Sequence, residues 1–430
     1  VHVLKGNQMG SRVKNLYLTL IAYLVATVIS YGKYVQGDFS IYFNAGKRIT
    51  RNLSIYETEN NLYVYGPLLA HLLAPFSAWD DLLASRTWLV LSVLAIAFSA
   101  MILCRDILKI VRLDQIVFSL SILCISFATR NNLGNGNVMA FVLLGVVLSI
   151  SLILGNENYK NAIILSLVTL FIFEVKTYIA LFLILFLLIS KKFKTLLIFL
   201  IFLCIFNFLY FKISQVTYVD WIHSLKARSI GLSSGSDQAT ILVFLNKLTS
   251  DSYFIGMIFA ILAYLLLLAR MFKSLSRCNG DREIQGIILL AASPVITIFS
   301  HGQDFIVSTL VLVYLLLKHN YGLEITKNLK VYLFLALGLL VNWTNEQAIF
   351  ALPVLVALCL ALAISAMPNQ AILMVVIINV ISLIVSGFLF NQEGDIQYVV
   401  YNFQALAFGL SIFLAITSKK FLKLVSQRGD

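Results

Sequence analysis

Apolar runs of about 20 residues recur from Leu16 to Ser418 with only short polar breaks between them, and nothing else in the chain limits its fold as severely. A hydrocarbon core of about 30 Å is crossed by about 20 residues of helix, so each run is long enough to be a span. The runs are rich in Leu, Ile, Phe and Val without strict alternation of polar and apolar residues, which is the pattern of helices and not of an outer-membrane barrel. Hydrophobic residues fill 60% of 430 positions and charged residues 12%, more apolar surface than one water-soluble core hides. The expected fold is all-α, a polytopic transmembrane helical bundle of roughly 12 to 14 spans.

The net charge of +12 would suit a nucleic-acid binder, but the basic residues sit mainly in short loops beside apolar runs. They gather at Lys5 to Lys14, at Arg105, Lys109 and Arg112, at Lys191, Lys192 and Lys194, from Arg270 to Arg282, from Lys318 to Lys330 and from Lys419 to Arg428. That is the distribution of cytoplasmic loops. It predicts a multi-pass protein of a bacterial inner (plasma) membrane with both termini cytoplasmic, whose first apolar run is an uncleaved anchor helix. Cys104, Cys124, Cys204 and Cys359 lie in apolar runs and Cys278 in a predicted cytoplasmic loop, so neither disulfides nor a metal site are expected. The sequence has no Walker A segment, no H-E-x-x-H, no paired C-x-x-C and no D-x-D; no cofactor is expected, and no nucleic acid.

No repeat or polar linker divides the chain, which reads as a single transmembrane domain over 1–430. Its two longest non-cytoplasmic segments are 31–86 and 215–250. In the first, Asp38, Ile41, Tyr42, Ala45 and Ile49 follow helical spacing while Lys47, Arg48 and Arg51 fall elsewhere, which predicts an amphipathic helix lying on the membrane surface. The apolar stretch from Leu68 to Phe76 is too short to cross and predicts a re-entrant or interfacial piece.

Asp38 is the leading candidate for chemistry. It follows the first span at the outer face with no adjacent cation, and a carboxylate that loses hydration at a boundary is suited to act as a general base toward a hydroxyl. Ordinary helix capping ahead of Phe39, Ser40 and Ile41 is the competing reading. An anionic phosphate leaving group would call for a cation near the same face, and Lys176, Arg130, Lys226 and Arg228 are the candidates. Lys176 interrupts an apolar stretch with Glu174 close by; the alternative is a hairpin turn whose two charges snorkel to the interface. His301 and Asp304 flank Gly302 and Gln303 in a short turn that either faces the same cavity or is simply solvated. Asn131, Asn132, Asn135 and Asn137, interleaved with Gly134 and Gly136, suit sugar hydroxyls or helix caps.

The first loop carries Gly37-Asp38-Phe39-Ser40-Ile41-Tyr42, then Ala45, Tyr56, Tyr65-Gly66-Pro67 and Pro75. In that order and spacing it resembles glycosyltransferase family 87, polytopic mannosyltransferases that use polyprenyl-phosphate sugars. Weaker likenesses follow at Gly134-Asn135-Gly136-Asn137, Lys176-Thr177-Tyr178, Asp237-Gln238 and Ser293-Pro294 with His301, so that the resemblance reaches to about residue 305. Asn135 stands where the family usually has Gln, and Ile179 where Pro often follows the Lys. The resemblance implies a bundle of GT-C type and inverting sugar transfer on the extracytoplasmic side, from a polyprenyl-phosphate sugar donor to a lipid-linked or polysaccharide acceptor. It implies Asp38 as the base, with Lys176, Arg130 and Arg228 toward the donor phosphate and Tyr42, Tyr65, Asn135, Asn137, Gln238 and His301 toward sugar or acceptor. Tyr56, Tyr63 and Trp221 are further stacking faces, although aromatic belts at interfaces use the same residues. A polysaccharide polymerase of O-antigen type or a transporter or flippase would share the span pattern. The first would rely on Arg-rich outer loops, the second on paired charges or Gly and Pro breaks at mid-membrane in two halves.

Overall fold

A computed structural model describes residues 27–56, 63–232, 240–248, 253–278, 280–297 and 300–320, with single positions at 21 and 25 and short pieces between 405 and 417. Among them every regular element is a helix. In chain order these are α1 (Gly37–Thr50), α2 (Pro67–Leu73), α3 (Asp81–Ile102), α4 (Leu113–Ile125), α5 (Phe127–Asn135), α6 (Met139–Leu154) and α7 (Tyr159–Val175). They continue with α8 (Thr177–Ile189), α9 (Phe193–Ser214), α10 (Tyr218–Leu232), α11 (Ile241–Leu248), α12 (Tyr253–Arg277), α13 (Arg282–Ala292) and α14 (Ile306–Asn320). Most of the first apolar run, and the spans expected within 321–404, lie outside the described residues.

Local chemistry sets the boundaries. Asp80, Ser126, Asn158 and Asp281 stand just before α3, α5, α7 and α13, and each side chain accepts a backbone N–H of the first turn at 2.8 to 3.2 Å. At the other end of α5, Gly136 takes a left-handed conformation (φ 67°), where a side chain would cost energy and where a Cβ would fall 2.7 Å from Gln36 Cβ and 2.8 Å from Phe39 Cβ.

Among the described residues, three helical stretches, 81–107, 193–214 and 255–277, are long and apolar enough to cross a bilayer. A fourth is added if the broken pair 115–124 and 127–135, bent by 65°, counts as one span. The shorter α6 and α8 are apolar with many buried residues; helices enclosed by other helices need not match the lipid thickness. On α9 and α12 the large side chains point outward: Leu197, Ile201, Ile205 and Phe208 on one, Ile258, Leu262, Leu265 and Leu266 on the other. Apolar surface on that scale is what lipid covers. The molecule is an all-α polytopic membrane bundle.

The 31–86 segment forms both expected helical pieces, with one correction. The buried residues of α1 are Phe39, Tyr42, Phe43, Ala45, Gly46 and Ile49, and Ile41 is only half-buried. The stripe is therefore wider than the one read from the sequence, because Phe39, Phe43 and Gly46 add a second apolar row at i, i+4 and i+7. A helix with so broad an apolar face packs on protein: a Cβ at Gly46 would lie 3.0 Å from the Leu73 backbone of α2, and the Phe39 ring stands 5.6 Å from Trp88 of α3. The chain then alternates between the two ends of the bundle. One end gathers the starts of α1, α2, α3 and α6, the α7–α8 break and the turn at Gly302–Phe305. The basic groups at 105–112, 191–194, 277–282 and Lys318 fall at the opposite end.

Candidate active site

At the first end, Asp38 lies in the first turn of α1 but is not its cap. Gln36 holds the cap position, and the Gln36 side chain is engaged with the Ser85 hydroxyl. This corrects the capping reading and leaves the half-buried Asp38 carboxylate for other contacts. Asn137 supplies one, its Nδ2 donating to Asp38 Oδ2 at 2.6 Å. The orientation of that amide is dictated from behind, since Asn137 Oδ1 accepts the Met139 N–H at 3.0 Å as α6 begins, and the amide nitrogen must then face Asp38.

Lys176 sits in a single-residue break between α7 and α8, with non-helical backbone (φ −141°, ψ 73°). Its ammonium pairs with Asp304 Oδ1 at 2.9 Å, with the two side chains only 7% and 0% exposed. Tyr65 and Asp38 also lie within electrostatic reach of it, which brings α1, the loop before α2, the α7–α8 break and the Gly302–Phe305 turn to one region. Asp304 is fixed in place: its Oδ2 accepts the His301 N–H at 2.9 Å, and its own N–H donates to His301 O at 2.9 Å. The expectation of a solvated turn fails for Asp304, because a buried ammonium requires an anion beside it.

Glu174 behaves differently from what its nearness to Lys176 suggested. It is fully buried, and its backbone oxygen accepts the Gly66 N–H at 2.6 Å. Its Oε2 accepts the Leu68 N–H at 2.7 Å, and its Oε1 accepts Tyr210 Oη at 3.0 Å and Tyr218 Oη at 2.7 Å. Neither charge of the 174–176 segment snorkels. One is clamped to the start of α2 and to α9 and α10, the other to the Gly302–Phe305 turn.

The aromatic residues are consumed largely by packing. Tyr42 is fully buried, its hydroxyl 3.1 Å from that of Tyr65, and Tyr65 is the half-buried member of the pair. Tyr56 donates to Tyr65 O at 2.8 Å, Tyr63 to Gly66 O at 2.8 Å, and Trp221 Nε1 to Val64 O at 3.0 Å. They form a scaffold that holds the 63–68 segment, and not an interfacial belt.

The remaining candidates are more peripheral. Asn135 is exposed and donates to Asn131 Oδ1 at 2.8 Å, while Asn131 donates to Gln303 Oε1 at 3.1 Å, tying α5 to the turn that carries His301 and Asp304. Half-buried Arg130 lies within electrostatic reach of Tyr31. Arg228 is carried by α10, whose start docks on the site through Tyr218 and Trp221. Gln238 lies outside the described residues. Among those residues, no three His, Cys, Asp or Glu side chains are grouped to hold a metal ion.

The model of a glycosyltransferase family matches just under half of this chain, which together with its apolar bundle indicates a membrane glycosyltransferase. The family is glycosyltransferase family 87, and the match covers residues 63–271. That stretch contains Tyr65, Arg130, Asn135, Asn137, Lys176, Arg228 and Gln238; it begins after Asp38 and Tyr42 and ends before His301 and Asp304. No curated protein and no solved structure matches the chain.

Proposed function

We propose that the protein transfers one sugar, mannose or another hexose or pentose, from a polyprenyl-phosphate donor to a hydroxyl of a lipid-linked or polysaccharide acceptor, with inversion and on a bundle of GT-C type. The observation that carries this reading is that Asp38 lies within electrostatic reach of Lys176, 138 positions away in the chain, at one end of a bundle of which residues 63–271 match a glycosyltransferase family.

Asp38 takes the acceptor proton as the acceptor oxygen attacks the anomeric carbon. The bond from that carbon to the phosphate oxygen breaks on the opposite face, and the lipid phosphate leaves with the electron pair. One oxygen of Asp38 is held by Asn137, which leaves Oδ1 for the hydroxyl. An ammonium has three N–H groups, and Lys176 directs one at Asp304, so a phosphate oxygen can receive another. Because the basic loops lie at the opposite end, the site faces the extracytoplasmic side and both termini the cytoplasm. The segments 31–86 and 215–250 then contribute the acceptor side of a single domain.

The test is transfer by protein in liposomes from a panel of polyprenyl-phosphate sugars, with the anomeric configuration of donor and product read by NMR. Inverted product is expected. Retained configuration would exclude a single displacement, and transfer from nucleotide sugars alone would exclude the donor class.

A further inference from the structure

We propose that Asp304 is a positioning residue that holds the Lys176 ammonium away from Asp38 and so keeps Asp38 an unpaired base; the proposal rests on the base role given to Asp38 above. Two carboxylates, on α1 and on the Gly302–Phe305 turn, share one buried cation, and the structure divides the partners unequally. Lys176 goes to Asp304 at 2.9 Å, while Asp38 receives the neutral amide of Asn137 at 2.6 Å. A neutral donor orients a carboxylate without cancelling its charge, whereas an ammonium does both.

The geometry makes the division firm. Asp304 is wholly buried; the His301 N–H held by its Oδ2 stops the carboxylate from turning away from Lys176, and its backbone N–H on His301 O fixes the turn beneath it. The titratable groups around the pair are Asp38 on α1, Tyr65 before α2, Tyr178 on α8, and His301 on the same turn as Asp304. Glu174, two residues from Lys176, is occupied by Leu68, Tyr210 and Tyr218. If Asp304 loses its charge, Asp38 is therefore the carboxylate left to which the ammonium turns. A buried cation does not stay without an anion.

The experiment measures kcat/KM against pH, with the polyprenyl-phosphate sugar used by the native protein, for native protein, Asp304→Asn and the double variant Lys176→Gln/Asp304→Asn. In Asp304→Asn the captured base is weaker. Its plateau is expected to fall at least about tenfold and its acid limb to move about one pH unit lower. In the double variant nothing remains to capture Asp38, so the limb returns to its native position, although the rate stays below native without the phosphate-facing cation. Should Asp304→Asn not fold, Asp304→Ser, which keeps a hydrogen-bond acceptor and leaves room for water, takes its place. A native acid limb in the single variant, or a limb equally displaced in the double, overturns the proposal. An Asp38→Asn variant that transfers at full rate instead overturns the base reading itself, so the two failures are distinguishable.

Discussion

Asn137 shows how one side chain prepares another. Its amide spans the Met139 N–H at the start of α6 and the Asp38 carboxylate, bracing the helix start and tethering the carboxylate at once. Asn137→Ala is expected to cost about 1 kcal/mol of stability through the lost hydrogen bond to the Met139 N–H. It should also slow transfer about tenfold, the worth of roughly one hydrogen bond to a charged group. Both effects are read from thermal unfolding and initial rates on the same preparation, and an unchanged rate would remove Asn137 from the site. Asp38 is legible in the sequence because a lone carboxylate just past an apolar run stands out. Its partner is not, because four asparagines crowd 131–137 and only the fold shows that Asn137 turns to Asp38 while Asn131 and Asn135 turn to Gln303 and to each other. The pairing of Asp304 with Lys176 is hidden for a related reason. Nearness along the chain pointed to Glu174 as the neighbour of Lys176, whereas the buried pair closes across 128 positions.

At the scale of elements, Glu174 joins the 63–68 segment, α7, α9 and α10. Glu174→Ala would leave one backbone N–H and two tyrosine hydroxyls buried without their acceptor, at a cost of about 3 kcal/mol or more. Gly66→Ala attacks the same joint from the other side, because the new Cβ would lie 2.6 Å from Glu174 Cβ and Oε2, and overpacking of this kind costs about 1 to 3 kcal/mol. Because both substitutions damage one contact, their effects in the double variant should fall well short of the sum. Full additivity in thermal unfolding of the detergent-solubilised protein would show that Gly66 and Glu174 act separately. Helical periodicity makes α1 and α2 readable from the sequence. What periodicity omits is that both are packed against protein, since the same apolar stripe serves a lipid surface or a neighbouring helix equally well.

For the whole molecule, the basic loops and the site occupy opposite ends of one bundle, and the orientation drawn from them has a direct check. In a variant with all five native cysteines replaced, Thr50→Cys should react with a membrane-impermeant maleimide in intact cells, and Lys191→Cys only after lysis. Both positions are exposed, so labelling of the two from the same side would contradict the orientation. The class of fold is legible from apolar run length alone, because the bilayer imposes it. The site is legible only in part, because it is assembled from five segments whose order in the chain says nothing about their distance. The central claim is that this assembly transfers sugar with Asp38 as the base. Its most direct test is the transfer rate of Asp38→Asn beside that of the native protein, on a polyprenyl-phosphate sugar the native protein accepts. A folded, normally expressed variant with transfer reduced by about two orders of magnitude or more is the predicted result; transfer at the native rate would contradict the claim.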